Sequence, residues 1–294
     1  MERIIERARL TPAELAEPKF WEAQFPELSL SAPIDAARYA AEMGYDEARR
    51  GRDAERMAED GYTHGSHPLL KSLAPTMAEA VRKCMDLGLP PVFLFLFSET
   101  WRCFFALRPF IAPILGANFC ALPDFWVWHV DPKGGEAGWT PHVDKGTMAL
   151  DRFGRPLSLT LWIALSKATP LNSCIYLLPA SRDTGYHDPT QRTWDLAQLR
   201  ALPGEPGDFF CWNQNVLHWG SASSRFAEEP RISMALEFQT AAVPPFREPL
   251  IADPEQLNFE AKLQLIAKQI LQYRHMYAVD PAVEALATAL RGGS

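Results

Sequence analysis

The chain has 294 residues, of which 47% are hydrophobic, and a formal net charge of −7. A chain of this size can bury a large core, so one large domain is expected. Its negative charge and scattered basic residues argue against a general nucleic-acid binder. The five cysteines are an odd number with no Cys-x-x-Cys pair, which argues against a disulfide framework and a zinc knuckle.

The most apolar run, 91–115, does not predict a membrane span. It contains Glu99, Arg102 and Arg108, so its uncharged stretches are shorter than the ~20 residues that a span needs. The charged N-terminus has no signal-peptide core. We therefore expect a cytoplasmic protein that acts on a small molecule, without a membrane or nucleic-acid partner. The sequence does not determine the oligomeric state.

The first 117 residues are predicted to be largely helical. Thr11 and Glu14 form a capping box around Pro12. A short apolar run after two prolines, 92–97, is typical of a buried strand, and Ser98 is placed to cap a helix that Pro109 and Pro113 disturb. The other predicted elements of this part are two short helices in 35–57 interrupted by Gly44 and Gly51, a loop over 62–68, and a helix over 76–87 closed by Gly88.

From residue 118 to 245 the pattern changes to short runs of Val, Ile, Phe, Trp and Thr between Gly and Pro turns. This pattern is typical of an antiparallel barrel or sandwich. Asn213 to Asn215 are predicted to close a tight hairpin. The predicted strands are 125–131, 141–144, 157–165, 174–178, 208–212, 216–219 and 231–241, and helices are predicted over 255–277 and 282–290 in the C-terminal part, 246–294.

A candidate metal site lies in this β region. His142 and Asp144 stand two residues apart, so on an extended strand both side chains project from one face. Together with a distant histidine, for which we propose His218, they make the two-histidine, one-carboxylate set that holds non-haem Fe(II) and leaves positions open. A second His-x-Asp pair, His129 with Asp131, is the alternative.

The last predicted strand carries a candidate anion anchor. Arg231, Ser233 and Ala235 alternate with apolar residues, so they share the face opposite the one that the terminal helices would cover. An arginine on an inner face needs a carboxylate from the protein or from a ligand. Arg231 is suited to bind the far carboxylate of a 2-oxo acid in a bidentate manner, and Ser233 would add a hydrogen bond.

The ordered set of these residues resembles the phytanoyl-CoA dioxygenase family of Fe(II)/2-oxoglutarate-dependent oxygenases. The set comprises His142-x-Asp144, the run Trp162-Ile-Ala-Leu, the run Ala168-Thr-Pro-Leu-Asn-Ser-Cys, His218 and Arg231-x-Ser233. In that family the metal pair precedes the Trp-Ile-Ala-Leu strand by about twenty residues, which favours His142 over His129. One departure is Ser173, which stands where the family commonly has glycine.

The resemblance implies a single oxygenase domain over 1–294 with a double-stranded β-helix core (jelly roll, cupin-like), mostly β with flanking α-helices. It implies His142, Asp144 and His218 as Fe(II) ligands and Arg231 with Ser233 as the 2-oxoglutarate anchor. Dioxygen would be the second co-substrate, and an unactivated C–H of a small metabolite or natural-product intermediate would be hydroxylated with release of succinate and CO₂. His129 and Trp139 are assigned to the substrate pocket.

Three alternatives stay open. The same iron chemistry can end in desaturation or cyclisation. The same three ligands could bind zinc in a hydrolase or isomerase, although Arg231 and Ser233 would then have no role. Finally, the chain could be a non-catalytic jelly-roll binding module with structural histidines. Nothing in the sequence selects one substrate.

Overall fold

The computed structural model describes residues 10–34, 38, 45–275 and 278–292. Two antiparallel sheets lie at its centre, with helices before and after them. The helices are α1 (Pro12–Leu15), α2 (Pro18–Gln24), α3 (Glu47–Glu59), α4 (Pro68–Asp86), α5 (Ser98–Phe105), α6 (Arg108–Leu115), α7 (Phe259–Tyr273) and α8 (Pro281–Gly292), and the strands are β1 (Tyr62–Ser66), β2 (Cys120–Val130), β3 (Ser158–Ala164), β4 (Ile175–Leu178), β5 (Arg200–Leu202), β6 (Asp208–Asn213), β7 (Leu217–Gly220) and β8 (Arg231–Gln239).

The two sheets face each other but do not close into a complete barrel. The larger sheet has the order β1-β6-β3-β8-β2 and the smaller one β5-β4-β7. The segment after β2 joins them on one side, through single bridges from Ala137 to Ala222 and from His142 to His218. On the other side β1 and β5 are the outermost strands of their sheets. The pair of sheets therefore has one joined side and one open side.

Strand β8 separates two apolar cores, as its alternation predicted. Ile232, Met234 and Leu236 face the helices in a core that also contains residues of α4, α5 and α7. Ala235 points the other way, into a smaller core between the two sheets with Trp162 of β3. Period-two alternation thus buries both faces of the larger sheet and leaves its inner face for the site.

The buried run 92–97 is not the predicted strand. Residues Pro91–Leu96 form a 3₁₀ helix whose six side chains are all buried. Phe95 packs on Phe125 of β2 with ring centroids 4.1 Å apart, so the run lies beneath the larger sheet without joining it. A short, wholly apolar run carries no periodicity, and hydrophobicity alone does not separate a strand from a helical turn.

The loop prediction for 62–68 was also wrong, because 62–66 pair with β6 as the edge strand β1 and Pro68 begins α4. Strand β5 was not predicted, and Asn213 to Asn215 connect strands of different sheets instead of closing a hairpin. Helix α3 runs through Gly51, which does not interrupt it; most of the preceding predicted helix, 35–44, lies outside the described residues. Ser98 begins α5 without a side-chain cap.

Two predictions about helix ends were confirmed. The capping box of Thr11 and Glu14 is present, and Gly88, which follows the end of α4, has a φ of 73°. All five cysteines are buried and free. Within the described ranges, no helix combines the length and apolar character that crossing a bilayer requires.

Ser173 has an unusual backbone. Its φ is 73°, the left-handed region that a residue with a Cβ adopts at a cost of about 1–2 kcal/mol. Its side chain is fully buried, and its Oγ accepts a hydrogen bond of 3.0 Å from the backbone N–H of Gly138. The hydroxyl thereby ties the segment that follows β2 to the start of β4, a contact that glycine would not make.

We predict that Ser173→Ala and Ser173→Gly both lower the free energy of unfolding, Ser173→Ala by about 1–3 kcal/mol because it strands the Gly138 N–H. Ser173→Gly loses the same bond but releases the left-handed strain, so it should be more stable than Ser173→Ala by about 1 kcal/mol. Urea unfolding of both variants tests the order, with the exposed Ser31→Gly as control. Equal stability of the Ala and Gly variants would contradict the strain argument.

Candidate active site

The residues His142 and Asp144 do not lie on a strand, contrary to the prediction for 141–144. His142 instead makes one antiparallel bridge with His218 of β7, in which each backbone N–H donates to the other residue's carbonyl at 3.0 Å. The next turn is fixed by Gln214, whose carbonyl accepts from the N–H groups of Lys145 and Gly146 at 3.0 and 3.1 Å. The segment is thus docked at two points, on β7 and on the turn that precedes β7.

The bridge brings three potential ligand side chains together. The Oδ1 atom of Asp144 lies 3.4 Å from Nε2 of His142 and 3.6 Å from Nε2 of His218. The ligand atoms of the three residues are all within 4.8 Å of one another. Neighbouring ligands of a six-coordinate ion with metal–nitrogen distances near 2.1 Å stand roughly 3 Å apart, so a small adjustment would let all three bind one ion.

Both imidazoles are oriented by their outer nitrogen. Nδ1 of His142 lies 2.7 Å from the carbonyl of Thr140, and Nδ1 of His218 lies 3.0 Å from that of Val216. Because a carbonyl only accepts, each Nδ1 carries the proton and each Nε2 presents a lone pair to the centre. The buried Nε2 of His142 has no hydrogen-bond partner among the described residues. Such an orphaned acceptor fits a metal ligand.

Asp144 is held by its other oxygen. Oδ2 accepts from the hydroxyl of Thr160 at 2.7 Å and from Nε1 of Trp212 at 3.3 Å. Burial by itself raises the pKa of Asp144, but the neighbouring His218 and His142 and the hydrogen bond from Thr160 outweigh it and place the pKa well below its ordinary value. The carboxyl is therefore ionised at neutral pH, with Oδ1 turned to the two histidines.

Burial lowers the pKa of His218. At His142 burial also acts to lower the pKa, but the adjacent Asp144 carboxylate overcomes it and the pKa is raised. A cation between the three residues would favour both imidazoles in the neutral form. Two oriented imidazoles and one carboxylate match the donor set of a non-haem Fe(II) site.

These residues line a cleft between the two sheets with about 590 Å³ of empty space, part of which is open to solvent. Arg231 lies in its wall and is 1% exposed. Its Nη1 donates to Ser233 Oγ at 2.8 Å, and its guanidinium carbon lies 5.8 Å from the centre of the Trp162 ring. The predicted anion anchor and the predicted metal ligands thus open onto the same space.

The wall near Arg231 is built from backbone. A Cβ added to Gly138 would stand 2.6 Å from Cα of Gly220 and 3.3 Å from Nη2 of Arg231, and one added to Gly220 would stand 2.5 Å from Cα of Gly138. Real Cβ atoms do not approach other atoms that closely. The two glycines are therefore required by the contact between the segment after β2 and strand β7.

The two residues assigned to the substrate pocket are placed differently. Trp139 lines the cavity, and its ring packs on Trp128 with centroids 5.6 Å apart. His129 does not line it: in the β2–β8 pairing it stands opposite Ile232, which faces the helical core. The alternation of β2 that brings Trp126 and Trp128 to the cavity turns His129 away from it.

Sequence reasoning missed several residues of the site. Thr160 and Trp212 hold Asp144, yet inward alternation along β3 and β6 was the only sequence signal for them. Glu237 also lines the cavity and forms an ion pair with Lys145; burial raises the pKa of Glu237 to about 7. Tyr273, at the end of α7, closes the aromatic wall with its ring 4.9 Å from that of Trp126, and no sequence pattern pointed to it.

Comparison with known proteins identifies a family. The family model described as phytanoyl-CoA dioxygenase (PhyH) matches residues 30–227, a range that includes His142, Asp144 and His218 and ends before Arg231. No curated protein matches the chain by sequence.

Solved structures share the fold at low sequence identity. The non-haem α-ketoglutarate-dependent epimerase SnoN from nogalamycin biosynthesis is 21% identical, with a TM-score of 0.50 over 67% of this chain and 82% of its own. The non-haem monooxygenase ThoJ, in a nickel complex, is 17% identical, with a TM-score of 0.55 over 76% of this chain and 97% of its own. The carbocyclase SnoK, from the same biosynthesis as SnoN, is 14% identical, with a TM-score of 0.50 over 65% and 83%.

At these identities the structural likeness shows the fold alone, a double-stranded β-helix with flanking helices and sheets that are not fully closed. The family match spans more than half of the chain and carries the assignment further. The protein belongs to the phytanoyl-CoA dioxygenase family of Fe(II)/2-oxoglutarate-dependent oxygenases.

Proposed function

We propose that this protein is an Fe(II)- and 2-oxoglutarate-dependent dioxygenase that hydroxylates an unactivated C–H of a small metabolite or natural-product intermediate. The observation that carries the proposal is the shared cavity, onto which both the His142, Asp144, His218 cluster and the buried guanidinium of Arg231 open. A metal site and an anion anchor that open onto one cavity are what a chelating 2-oxo dicarboxylate requires.

His142, Asp144 and His218 would hold Fe(II), and with 2-oxoglutarate and dioxygen the ion would supply the oxidation of the C–H bond, with succinate and CO₂ as co-products. The protein contributes orientation. The carbonyls of Thr140 and Val216 fix the two imidazoles, and Thr160 and Trp212 leave one oxygen of Asp144 for the ion. Such outer hydrogen bonds also keep each ligand in the protonation state that binds metal.

Arg231 and Ser233 would hold the carboxylate of 2-oxoglutarate that is remote from the metal. The planar guanidinium matches a carboxylate in two parallel hydrogen bonds, and in a buried position these bonds are strong. The hydrogen bond from Arg231 to Ser233 and the Trp162 ring beside the guanidinium would hold the arginine in place before the co-substrate arrives. Less side-chain freedom would then be lost on binding.

The substrate would be held against the aromatic wall of Trp126, Trp128, Trp139 and Tyr273. These rings exclude water from the reacting centre, which favours C–H oxidation over side reactions. The position of the substrate decides between hydroxylation and desaturation or cyclisation, and the fold relatives described as epimerase, carbocyclase and monooxygenase illustrate that range of outcomes. Halogenation is disfavoured because Asp144 would be a ligand of the ion and would leave no place for a halide.

Zinc hydrolysis and a purely binding role receive less support. A hydrolase with the same three ligands would have no use for an anion anchor in the ligand cavity. A binding module would have no use for a buried histidine nitrogen without a hydrogen-bond partner among the described residues.

Replacement of His142 by Ala should weaken Fe(II) binding by at least about 100-fold, because two ligands remain of three and the loss exceeds that of an outer-shell contact. Anaerobic calorimetric titration of Fe(II) measures the effect. His129→Ala is the matched control and should bind Fe(II) as the unaltered protein does. If His129→Ala lost the metal while His142→Ala kept it, the pair His129 and Asp131 would replace our assignment.

Arg231→Ala should weaken 2-oxoglutarate binding by about 2–5 kcal/mol, the usual cost of truncating one partner of a buried charge pair. That corresponds to a loss on the order of 30-fold to several thousand-fold in affinity. The absorption band of the Fe(II)·2-oxoglutarate chelate, titrated without oxygen, measures it. The exposed Arg225→Ala serves as control, and equal affinity of the Arg231 and Arg225 variants would remove Arg231 from the site.

Incubation with Fe(II), 2-oxoglutarate and ¹⁸O₂ should yield succinate carrying one ¹⁸O, even as slow turnover without a substrate. Succinate without label, or no succinate with Fe(II) at saturating 2-oxoglutarate, would favour the hydrolase or binding-module alternatives.

With a substrate found by succinate-release screening, hydroxylation adds one ¹⁸O to the product. An unlabelled product lighter by two hydrogens would replace hydroxylation by desaturation or cyclisation, and a chlorinated product in excess chloride would contradict the role of Asp144.

A further inference from the structure

A second concave surface lies on the open side of the two sheets. The joined side carries the candidate metal ligands. The concave surface runs between helix α3, the edge strand β1 and the edge strand β5, and encloses about 1390 Å³ of space open to solvent. We call it the arginine groove, after the four arginines among its lining residues: Arg49, Arg52, Arg56 and Arg200.

The groove is positively charged although the whole chain carries a net charge of −7. In the part of the chain that the structure describes, two acidic side chains, Asp53 and Asp208, line it against the four arginines. Asp53 is buried and already accepts hydrogen bonds from Tyr45 at 3.0 Å and Thr63 at 2.8 Å. Among the described residues, the guanidinium groups of Arg52, Arg56 and Arg200 have no carboxylate within 4.0 Å, so their charge is available to a ligand.

Three of the arginines form a stripe on one helix. Positions 49, 52 and 56 are three and four residues apart, so Arg49, Arg52 and Arg56 lie on adjacent turns of the same face of α3. The buried Asp53 of the same helix bonds to Thr63 of β1, which fixes the stripe against the edge strand. The spacing presents several guanidinium groups in one direction.

The position of Arg49 depends on Gly65 of β1. A Cβ added to Gly65 of β1 would stand 2.5 Å from Nη2 of Arg49, so the guanidinium lies directly on the backbone of the strand. A residue with a side chain at position 65 would push Arg49 away from the groove. The absence of a side chain on β1 therefore shapes the positive surface.

The opposite rim carries the fourth arginine. Arg200 is fixed by hydrogen bonds from its Nη1 to the carbonyls of Gln198 and Leu199 at 3.4 and 3.1 Å. Burial and Asp60 raise the pKa of Tyr62 in the floor, while the positive charges of Arg200 and Arg56 act to lower it. Charges from the helix and from the small sheet thus reach the same phenol, across the width of the groove.

The floor between the two rims is largely apolar and aromatic. Phe210, Leu202 and Pro203 line it together with Tyr62 and His64, and the rings of His64 and Phe210 are 5.8 Å apart. Two N–H groups of one guanidinium can bind two oxygens of a phosphate, and aromatic rings pack against a flat or apolar group. A ligand that satisfies both parts carries several negative charges at one end and an apolar or aromatic portion.

We propose that the arginine groove binds a small molecule with two or more phosphate groups, at a site separate from the metal cavity. Arg56 and Arg200 bind the phosphates from opposite rims, Arg49 and Arg52 add charge along the helix, and the aromatic floor receives the remainder. The proposal does not depend on the oxygenase assignment, because no residue of the groove belongs to the metal site or to the Arg231 anchor.

The test is calorimetric titration of the full chain with inorganic pyrophosphate and, separately, with ADP at low ionic strength, since salt screens exposed charges. Arg56→Glu and Arg200→Glu should each weaken binding by at least about 10-fold. Arg225→Glu makes the same charge change on an exposed arginine outside the groove and should alter binding by less than about 2-fold.

The two probes separate the sources of phosphate. Tighter binding of ADP than of pyrophosphate identifies a nucleotide-like ligand that uses the floor, and equal binding identifies phosphate recognition alone; both support the proposal. Absence of binding, or binding that the Arg56 and Arg200 variants leave unchanged, overturns it and leaves the arginines the role of keeping the edge strands from pairing with another chain. Binding of a polyglutamate peptide without binding of either phosphate probe overturns it in favour of an acidic protein segment. Circular dichroism and Fe(II) affinity of each variant verify that it is folded.

Discussion

The pair of backbone hydrogen bonds between His142 and His218 is the constraint on which the site depends. No regular strand carries His142 or Asp144, so side-chain alternation does not aim these residues. Their positions follow from docking one short segment on β7 through that bridge and on the turn before β7 through the carbonyl of Gln214. Backbone hydrogen bonds fix such a segment and at the same time satisfy polar groups that would otherwise be buried without partners.

The side chains of the three metal-ligand residues are also held by hydrogen bonds. The Nδ1–H of each histidine donates to a carbonyl two residues before it. Oδ2 of Asp144 accepts hydrogen bonds from Thr160 and Trp212. Every ligand thus has one atom committed to the protein and one directed to the centre. Desolvation would favour the neutral form of the carboxyl, but the neighbouring imidazoles and hydrogen bonds keep it ionised.

Much of this arrangement could be predicted from the sequence. Period-two alternation in β8 placed Arg231 and Ala235 on the inner face, and the order of the short motifs identified the family and its fold. The predictions that failed concern the conformation or orientation of single segments. The run 92–97 is apolar at every position and so has no period, and His129 was assigned to the cavity without counting the alternation of β2, which turns it to the helical core. Glu237 follows the same alternation in β8 and could have been assigned to the inner face with Arg231. The contribution of Tyr273 comes from the packing of α7 beside β2, which a single sequence does not encode in any local pattern.

The contact between Gly138 and Gly220 has a consequence for how this cavity can diversify. Beside Arg231 one part of the wall is main chain against main chain, with no room for a Cβ on Gly138 or Gly220, so the width of the cavity at that contact is set by the fold and not by a choice of side chain. The aromatic wall is built from rings of three separate elements, β2, the segment after it and the end of α7. Such a cavity can accept new substrates through replacement of individual rings while the contact between Gly138 and Gly220 stays unchanged, which makes the aromatic wall the part open to selection or engineering.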